Sequence, residues 1–501
     1  MGVIKRQTIQ GTTISFIGVL IGFINLVILS PKFFTTDQIG LTQVMLAIVT
    51  ILAQLGGLGF NNVINRLFPW FRNNSNNHNG FLSLSFLVTG FGFMISLILL
   101  FLYLPAFIET NSDRSLLLSR YAYYIPLFFA FFLLFTLLDN FCKVLFNAVI
   151  GTFLRDIVLR VINFCLIMLF SLNIIDFSVY ILLYILSYAV PSVVIIIYLV
   201  GKGEFRFTGF RGFMNKDLRK QIISLSFYGL IAGFSGIAIT NIDKYMVNNF
   251  IGLGDAGIYS IAVYFATLIL IPARSLGKIA VPVSAEAWKN NDLDTINNVY
   301  YKSSINQMLI GLIIFVGLVA NMDNILRILP EEYASGKMVI IIFSFTNIIN
   351  VSAGAAGIIL NTSSRYKFQT YLMLILIILV ITSNFIFIPL LGLTGAAVAS
   401  LISMFIFTGL TVFVLKYYYG LWPFKAKHLI AAGMSVGIYL VSLFMPQISL
   451  IPDILIRSSI VAVLFAAGTL SLNLSEDVNL MYSQVKDAIA GFFNLHKRNN
   501  K

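Results

Sequence analysis

Seven charged residues fall inside long apolar stretches of this 501-residue sequence: Asp139, Lys143, Arg160, Asp243, Lys244, Arg274 and Lys278. A charge at the centre of a hydrocarbon layer costs at least about 2.5–3.5 kcal/mol, so such residues face a cavity, a counter-ion or water. Five of the seven are cations and two are carboxylates, a net charge of +3. That surplus suits an anionic group such as a pyrophosphate, which Arg contacts bidentately and Lys as a point charge. Asp139 and Lys143 are four residues apart and can pair on one helix face, as a cavity element or a self-neutralising pair. Asp243 and Lys244 are adjacent, about 100° apart around a helix, so at least one must reach another helix or a cavity. Arg274 and Lys278 put like charges on one stripe, which is tolerable only against water or an anion. Lys278, Arg160 and Arg66 lie close to the ends of their stretches and have the alternative of snorkelling to headgroups. Asn25 is uncharged but costly if it faces lipid. The candidate cationic site is therefore Lys244, Arg274, Lys143, Lys278, Arg160, Arg66 and Asn25, with Asp139 and Asp243 as coupling or pairing groups. No catalytic, metal or cofactor site is expected. Cys142 and Cys165 sit in apolar stretches, and His78, His428 and His496 are far apart.

The elements that carry these residues follow from composition. The chain is 58% hydrophobic and 11% charged. Soluble domains carry about 25% charged residues. A soluble globular protein, a disordered chain and a nucleic-acid binder are all excluded. The apolar runs are solid rather than alternating, which excludes a β-barrel. A spanning helix needs about 20 apolar residues. The runs predict spans at 9–30, 41–64, 82–104, 119–149, 153–171, 177–200, 221–250, 256–283, 300–321, 337–360, 368–388, 393–415, 428–445 and 453–472. The fold class is an all-α polytopic membrane protein of about 14 helices. Lys5 and Arg6 precede a first run that extends to Ser30 without a small-residue cleavage site, so a retained first helix is expected. Pro272 and Pro282 can kink the eighth span. Gly229, Gly233, Gly395 and Ala399 permit close helix contact.

With the N-terminus inside, 22 Lys and Arg fall on the inner side and 6 on the outer. This bias predicts cytoplasmic N- and C-termini. It also accounts for most of the net charge of +13 without a nucleic-acid partner, helped by anionic lipid at the cytoplasmic face. The longest inner loop, 201–220, carries Lys202, Arg206, Arg211, Lys216, Arg219 and Lys220. It reads as a linker between an N-terminal lobe (1–200, helices 1–6) and a C-terminal lobe (221–416, helices 7–12). Helices 13–14 (417–474) form an appendix. The tail, 475–501, is expected to be a cytoplasmic amphipathic helix with Val478, Met481, Val485 and Ile489 on its apolar face.

Internal repeats are common in secondary transporters. The turn Phe33-Phe34-Thr35-Thr36-Asp37-Gln38-Ile39-Gly40-Leu41 after span one resembles Phe250-Ile251-Gly252-Leu253-Gly254-Asp255-Ala256-Gly257-Ile258 after span seven. The end of span four, Phe146-Asn147-Ala148-Val149-Ile150-Gly151, parallels Ile359-Leu360-Asn361-Thr362-Ser363-Ser364 after span ten. Both halves start inside, so the predicted repeat is parallel, with a pseudo-twofold axis along the membrane normal.

Three stretches carry a family resemblance. They are Leu29-Ser30-Pro31 through Gly40-Leu41 with Gln54-Leu55-Gly56-Gly57-Leu58-Gly59-Phe60; Asn241-Ile242-Asp243-Lys244-Tyr245 through Asp255-Ala256-Gly257-Ile258-Tyr259; and Asn384-Phe385-Ile386-Phe387-Ile388-Pro389-Leu390-Leu391-Gly392-Leu393-Thr394-Gly395-Ala396-Ala397. The sequence resembles the polysaccharide transporter (O-antigen flippase) branch of the multidrug/oligosaccharidyl-lipid/polysaccharide flippase superfamily. The resemblance implies two six-helix bundles around a central cavity, alternating access, and export of undecaprenyl-pyrophosphate-linked oligosaccharide across a bacterial inner membrane. The partners it implies are the lipid-linked substrate, membrane lipids, and a polysaccharide polymerase and glycosyltransferases of the same pathway. A multidrug and toxin extruder on the same fold would need an acidic cavity, which a span charge of +3 opposes. A lipid II flippase shares the chemistry but not its arginine-rich first span, since span one has no Arg after Arg6. An enzyme is not expected, because the external loops are short and lack histidine.

Overall fold

The computed structural model describes residues 2–111, 115–210, 212–484 and 486. At some positions inside helices it describes the backbone alone. All regular structure among the described residues is helical. Helix α1 (Gly2–Phe23) continues through a π-turn (Ile24–Leu29) to Phe33. Helix α2 (Thr36–Gly56) starts from a capping box: the Thr35 hydroxyl accepts from the Gln38 N–H, and the Gln38 side chain accepts from the Thr35 N–H. The box satisfies two of the amides that a helix start leaves without partners.

The predicted span 41–64 is in fact broken. Leu58 (φ 47°) and Gly59 (φ 67°) adopt the left-handed conformation, and a separate helix α3 (Phe60–Phe71) follows. Gly59 lowers the cost of that turn, because glycine takes positive φ without a Cβ clash. Helix α3 is amphipathic. It buries Phe60, Ile64, Phe68 and Phe71 and leaves Arg66 exposed.

Helices α4 (Phe81–Asn111) and α5 (Ile125–Val144) come next. A short helix (Ala148–Phe153) and a π-turn (Leu154–Val158) lead into α6 (Leu159–Ser171), and α7 (Phe177–Ser187) and α8 (Ala189–Gly201) follow. Beyond them are α9 (Lys216–Phe250), α10 (Leu253–Thr267), α11 (Ile271–Lys289), α12 (Leu293–Ala320) and α13 (Lys337–Ser352). The chain closes with α14 (Lys367–Leu391), α15 (Leu393–Tyr419), α16 (Ala426–Leu443) and α17 (Leu450–Ser471).

Twelve helices among the described residues are long and apolar enough to cross a membrane. The predicted count of 14 is not reached on that measure, for two reasons. The stretch 153–171 carries Arg155, Asp156 and Arg160 within 18 residues, more charge than the other spans hold. Helix α9 is 35 residues long, and several of its side chains lie outside the described residues to which the count of twelve applies. Both predicted segments are nevertheless helical.

The chain forms two compact units: residues 1–264 with 373–399, and residues 265–372 with 400–501. The first unit packs Phe60, Phe68, Phe71, Phe81, Phe141 and Leu154 into one core. Its polypeptide chains approach closely at glycines. A Cβ on Gly40 would overlap the Leu253 carbonyl, and one on Gly257 would overlap the Thr36 carbonyl. The starts of α2 and α10 therefore meet reciprocally, through residues of the two turns that the sequence comparison aligned. At the glycine turn, a Cβ on Gly59 would strike the α9 backbone at Ser226 and Leu230, and one on Gly229 would strike the Gly59 carbonyl and Asn62.

The 201–220 segment was read as a basic linker. Its 204–210 stretch is strapped onto the α3–α4 end. His78 Nε2 lies 2.8 Å from Glu204 Oε2, and the Thr208 N–H donates to Ser83 Oγ at 2.9 Å. His78 Nδ1 accepts from the Asn73 N–H, which leaves the Nε2 proton for Glu204. Phe86 packs on Phe205 and Phe207. The side chain of Asn215 then caps α9. Arg211 lies outside the described residues, as do Val485 and Ile489 of the predicted tail helix; residues 476–484 are helical.

In the second unit, Arg457, one of the six outer-side cations by sequence, lies within α17. It is 7% exposed. It pairs with Asp453 at 2.8 Å and donates to the carbonyls of Ser442, Met445 and Pro446. Asn324 also donates to Asp453. This pair ties α16 to α17, an arrangement that burial permits only because every charge is partnered.

Gly40→Val is expected to cost about 1–3 kcal/mol through overpacking against α10. Thermal unfolding in detergent measures this, with Gly90→Ala as control, since nothing lies within 4 Å of a Cβ there.

Candidate functional site

The predicted site residues of the first unit resolve into three groups. The first is on α9. Asp243 and Lys244 do not act as a pair on one face; each is directed to a different helix. Asp243 is 4% exposed. Its Oδ1 accepts from Asn384 Nδ2 of α14 at 2.7 Å, and its Oδ2 accepts from the Tyr259 hydroxyl of α10 at 3.0 Å. Lys244 is half-buried and donates to Gln43 Oε1 of α2 at 3.1 Å. The offset of about 100° between neighbours forces this divergence. The two donors named here, Asn384 and Tyr259, are neutral. The ammonium donates to an amide oxygen, which orients the cation without cancelling its charge.

The second group joins α1 to α6. The Arg160 guanidinium donates to the Gly18 carbonyl. Asn25 Nδ2 donates to the Arg160 carbonyl at 2.7 Å. Asn25 sits in the π-turn, 3% exposed, and its Oδ1 is buried without a hydrogen-bond partner among the described residues. π-turns interrupt the regular ladder and are frequent at functional positions. Gly22 makes room for Arg160, because a Cβ there would overlap the guanidinium. Below this clasp, the Ser15 hydroxyl donates to Asp156 at 3.0 Å.

The third group is on α5. Lys143 Nζ lies 2.6 Å from Asp139 Oδ2, the i, i+4 pair that the spacing predicts. Asn140 donates to Asn61 Oδ1 of α3 at 3.0 Å and to the Thr136 carbonyl at 2.8 Å. Arg66 stands apart from all three groups, exposed on α3. Arg274 and Lys278 lie on α11, in the other unit, and their side chains are outside the described residues.

The sequence reading missed three partners: Gln43, Tyr259 and Asn384. Asn384 opens the third family-like stretch and Tyr259 closes the second, so two of those stretches meet at one carboxylate. The available signal was an uncharged amide inside the apolar run of α14. It also missed an aromatic ladder in which Tyr180 donates to Asn163 Oδ1 at 3.0 Å and the Tyr184 and Tyr188 hydroxyls lie 3.3 Å apart.

The sequence matches the family model described as polysaccharide biosynthesis protein over residues 4–288, more than half of the chain. No curated protein sequence matches it. Among solved structures, the lipid II flippase MurJ in an inward closed conformation superposes with a TM-score of 0.73 at 15% identity, covering 93% of this chain and 98% of that one. An inward-facing multidrug resistance transporter of the MATE family and MOP superfamily superposes with a TM-score of 0.59 at 12% identity, covering 82% and 97%. A MOP superfamily transporter from Pyrococcus furiosus, described with a binding pocket of reversed polarity, gives a TM-score of 0.52 at 13% identity, covering 83% and 95%. At these identities the likeness establishes a common fold.

Asn384→Ala removes a hydrogen bond to a buried carboxylate. It is expected to lower stability by about 1.5–3 kcal/mol, read as a fall in the thermal unfolding midpoint of the detergent-solubilised protein.

Proposed function

The chain belongs to the polysaccharide biosynthesis protein family, and from that premise we propose that it is a flippase. It moves undecaprenyl-pyrophosphate-linked oligosaccharide repeat units from the cytoplasmic to the outer leaflet of a bacterial inner membrane, by alternating access, for O-antigen, capsule or exopolysaccharide synthesis. The observation that carries this reading is Lys244. Its ammonium sits in a helix with a buried carboxylate as its neighbour, yet that carboxylate accepts from Tyr259 and Asn384 while Lys244 donates to an amide. The hydrogen-bond acceptor of the ammonium is thus an amide oxygen, and the neighbouring carboxylate acts on it only through its field. Lys143, Arg160 and Arg66, with Asn25 beside Arg160, are the further candidate residues of this unit, and Arg274 and Lys278 are those of the other.

The driving force is consistent with this cargo. One charge crossing 100 mV is worth about 2.3 kcal/mol, so a dianionic pyrophosphate leaving an inside-negative cell gains up to about 4.6 kcal/mol. Membrane potential alone can drive export, and Asp243 and Asp139 act as coupling or pairing groups. The excess of inner-side Lys and Arg supports cytoplasmic termini. A polymerase and glycosyltransferases of the same pathway are the expected functional partners. A cation extruder is disfavoured by the net positive charge of the embedded set.

Lys244→Ala is expected to abolish transport at unchanged protein level, and Lys244→Arg to retain part of it. Mass spectrometry of lipid-linked oligosaccharides, combined with their leaflet accessibility in cells, reads both. Accumulation of one undecaprenyl-pyrophosphate glycan on the cytoplasmic leaflet supports the reading and identifies the repeat unit. Full activity in Lys244→Ala would sink the anion-binding role of this residue.

A further inference from the structure

The C-terminal end of α5 gathers more than an ion pair. Lys143 and Asp139 differ sharply in environment: the lysine side chain is 35% exposed and the carboxylate 5%. Asp139 Oδ1 is buried without a hydrogen-bond partner among the described residues, and it is closed in by Gly151, where a Cβ would overlap it. The packing around α5 here is apolar, from Leu138, Phe141, Leu154 and Leu199. Beyond the last turn, Phe146 takes φ 61° at the helix-capping position where glycine is usual, and its ring is 65% exposed. The exposed Arg72 stacks its guanidinium 4.3 Å from that ring and donates to the Val144 carbonyl at 2.6 Å.

The two members of the pair do not need each other equally. A partly exposed ammonium is solvated and gains little from pairing. A carboxylate buried among apolar side chains depends on its counter-ion. The arrangement therefore holds Lys143 in place without satisfying it fully. A diphosphate offers more charge and more acceptor oxygens than one carboxylate oxygen, and Arg72 stands at the same helix end to take part of it. Phe146 fixes the guanidinium in that position.

We propose that this helix end is a docking site for the diphosphate of a lipid-linked substrate. Arg72 and Lys143 are its cations, and Asp139 is an anion that orients Lys143 and competes with the diphosphate for it. The proposal rests on the flippase reading but adds Arg72 to the site and assigns Asp139 a role in affinity rather than in coupling.

The test is binding of farnesyl diphosphate to the purified full chain in detergent. Asp139→Asn removes the internal competitor and is expected to bind about fivefold more tightly. Arg72→Gln is expected to bind several-fold more weakly than wild type. The double variant Asp139→Asn/Lys143→Gln leaves no buried unpaired charge, so it remains folded, and it is expected to bind more weakly than Asp139→Asn alone. Unchanged affinity in Asp139→Asn, with only a lower unfolding midpoint, would make the pair purely structural and overturn the proposal. A parallel arm uses nanodiscs of phosphatidylglycerol or phosphatidylcholine. Equal competition by phosphatidylglycerol would identify a membrane headgroup site and likewise overturn substrate docking. The flippase reading is judged separately by the Lys244→Ala leaflet assay. Its failure with the Asp139→Asn gain intact would remove the transport role and leave the diphosphate site.

Discussion

The Asp243 carboxylate is buried in a helix that carries it among apolar neighbours, and a charge in that position must be partnered or it is not tolerated. Two of its partners lie on other helices. They come from α10, as the Tyr259 hydroxyl, and from α14, as the Asn384 amide. Meeting that single requirement joins three helices that are far apart in the chain. The Lys244 ammonium donates to Gln43 on α2. An ion pair between the two would have compensated both charges. The divergence places an oriented cation next to a satisfied anion, which is the electrostatic asymmetry an anion-binding site needs.

Close backbone approach is what lets those helices meet at hydrogen-bonding distance. Gly40 and Gly257 bring the starts of α2 and α10 together, and Gly59 and Gly229 do the same for the α2–α3 turn and α9. Among helices surrounded by lipid, hydrophobic burial does not distinguish a neighbour from a lipid tail, so contact rests on packing and on polar pairs. The glycines supply the first and the embedded polar residues the second. The same logic operates at α1 and α6, where Gly22 leaves space for the Arg160 guanidinium and Asn25 accompanies it. In the second unit the Asp453–Arg457 pair does this work for α16 and α17.

Composition and run length were enough to establish a helical membrane protein, because burying a backbone in hydrocarbon leaves helices as the solution for solidly apolar segments. The embedded charges were equally visible, since they interrupt otherwise apolar runs. The Asp139–Lys143 pair could be read from its spacing, because an i, i+4 contact is local and every helix makes it. The helix breaks were less legible. The 41–64 run looks continuous because its glycines are compatible with a helix, and the turn at Leu58 and Gly59 is chosen by the approach of α9.

The tertiary structure decided which charges meet. Asn384 and Asp243 are separated by 141 residues, and nothing in the run around Asn384 names its partner. Gln43 and Lys244 are 201 residues apart. Arg457 stands in an apolar run that does not name its partners, and the carbonyls that bury it come from the preceding turn folding back. Helix propensity, span length and charge inventory are properties of the local chain, and the sequence determines them by itself. Partner choice depends on the distance between helices, and only packing sets that distance.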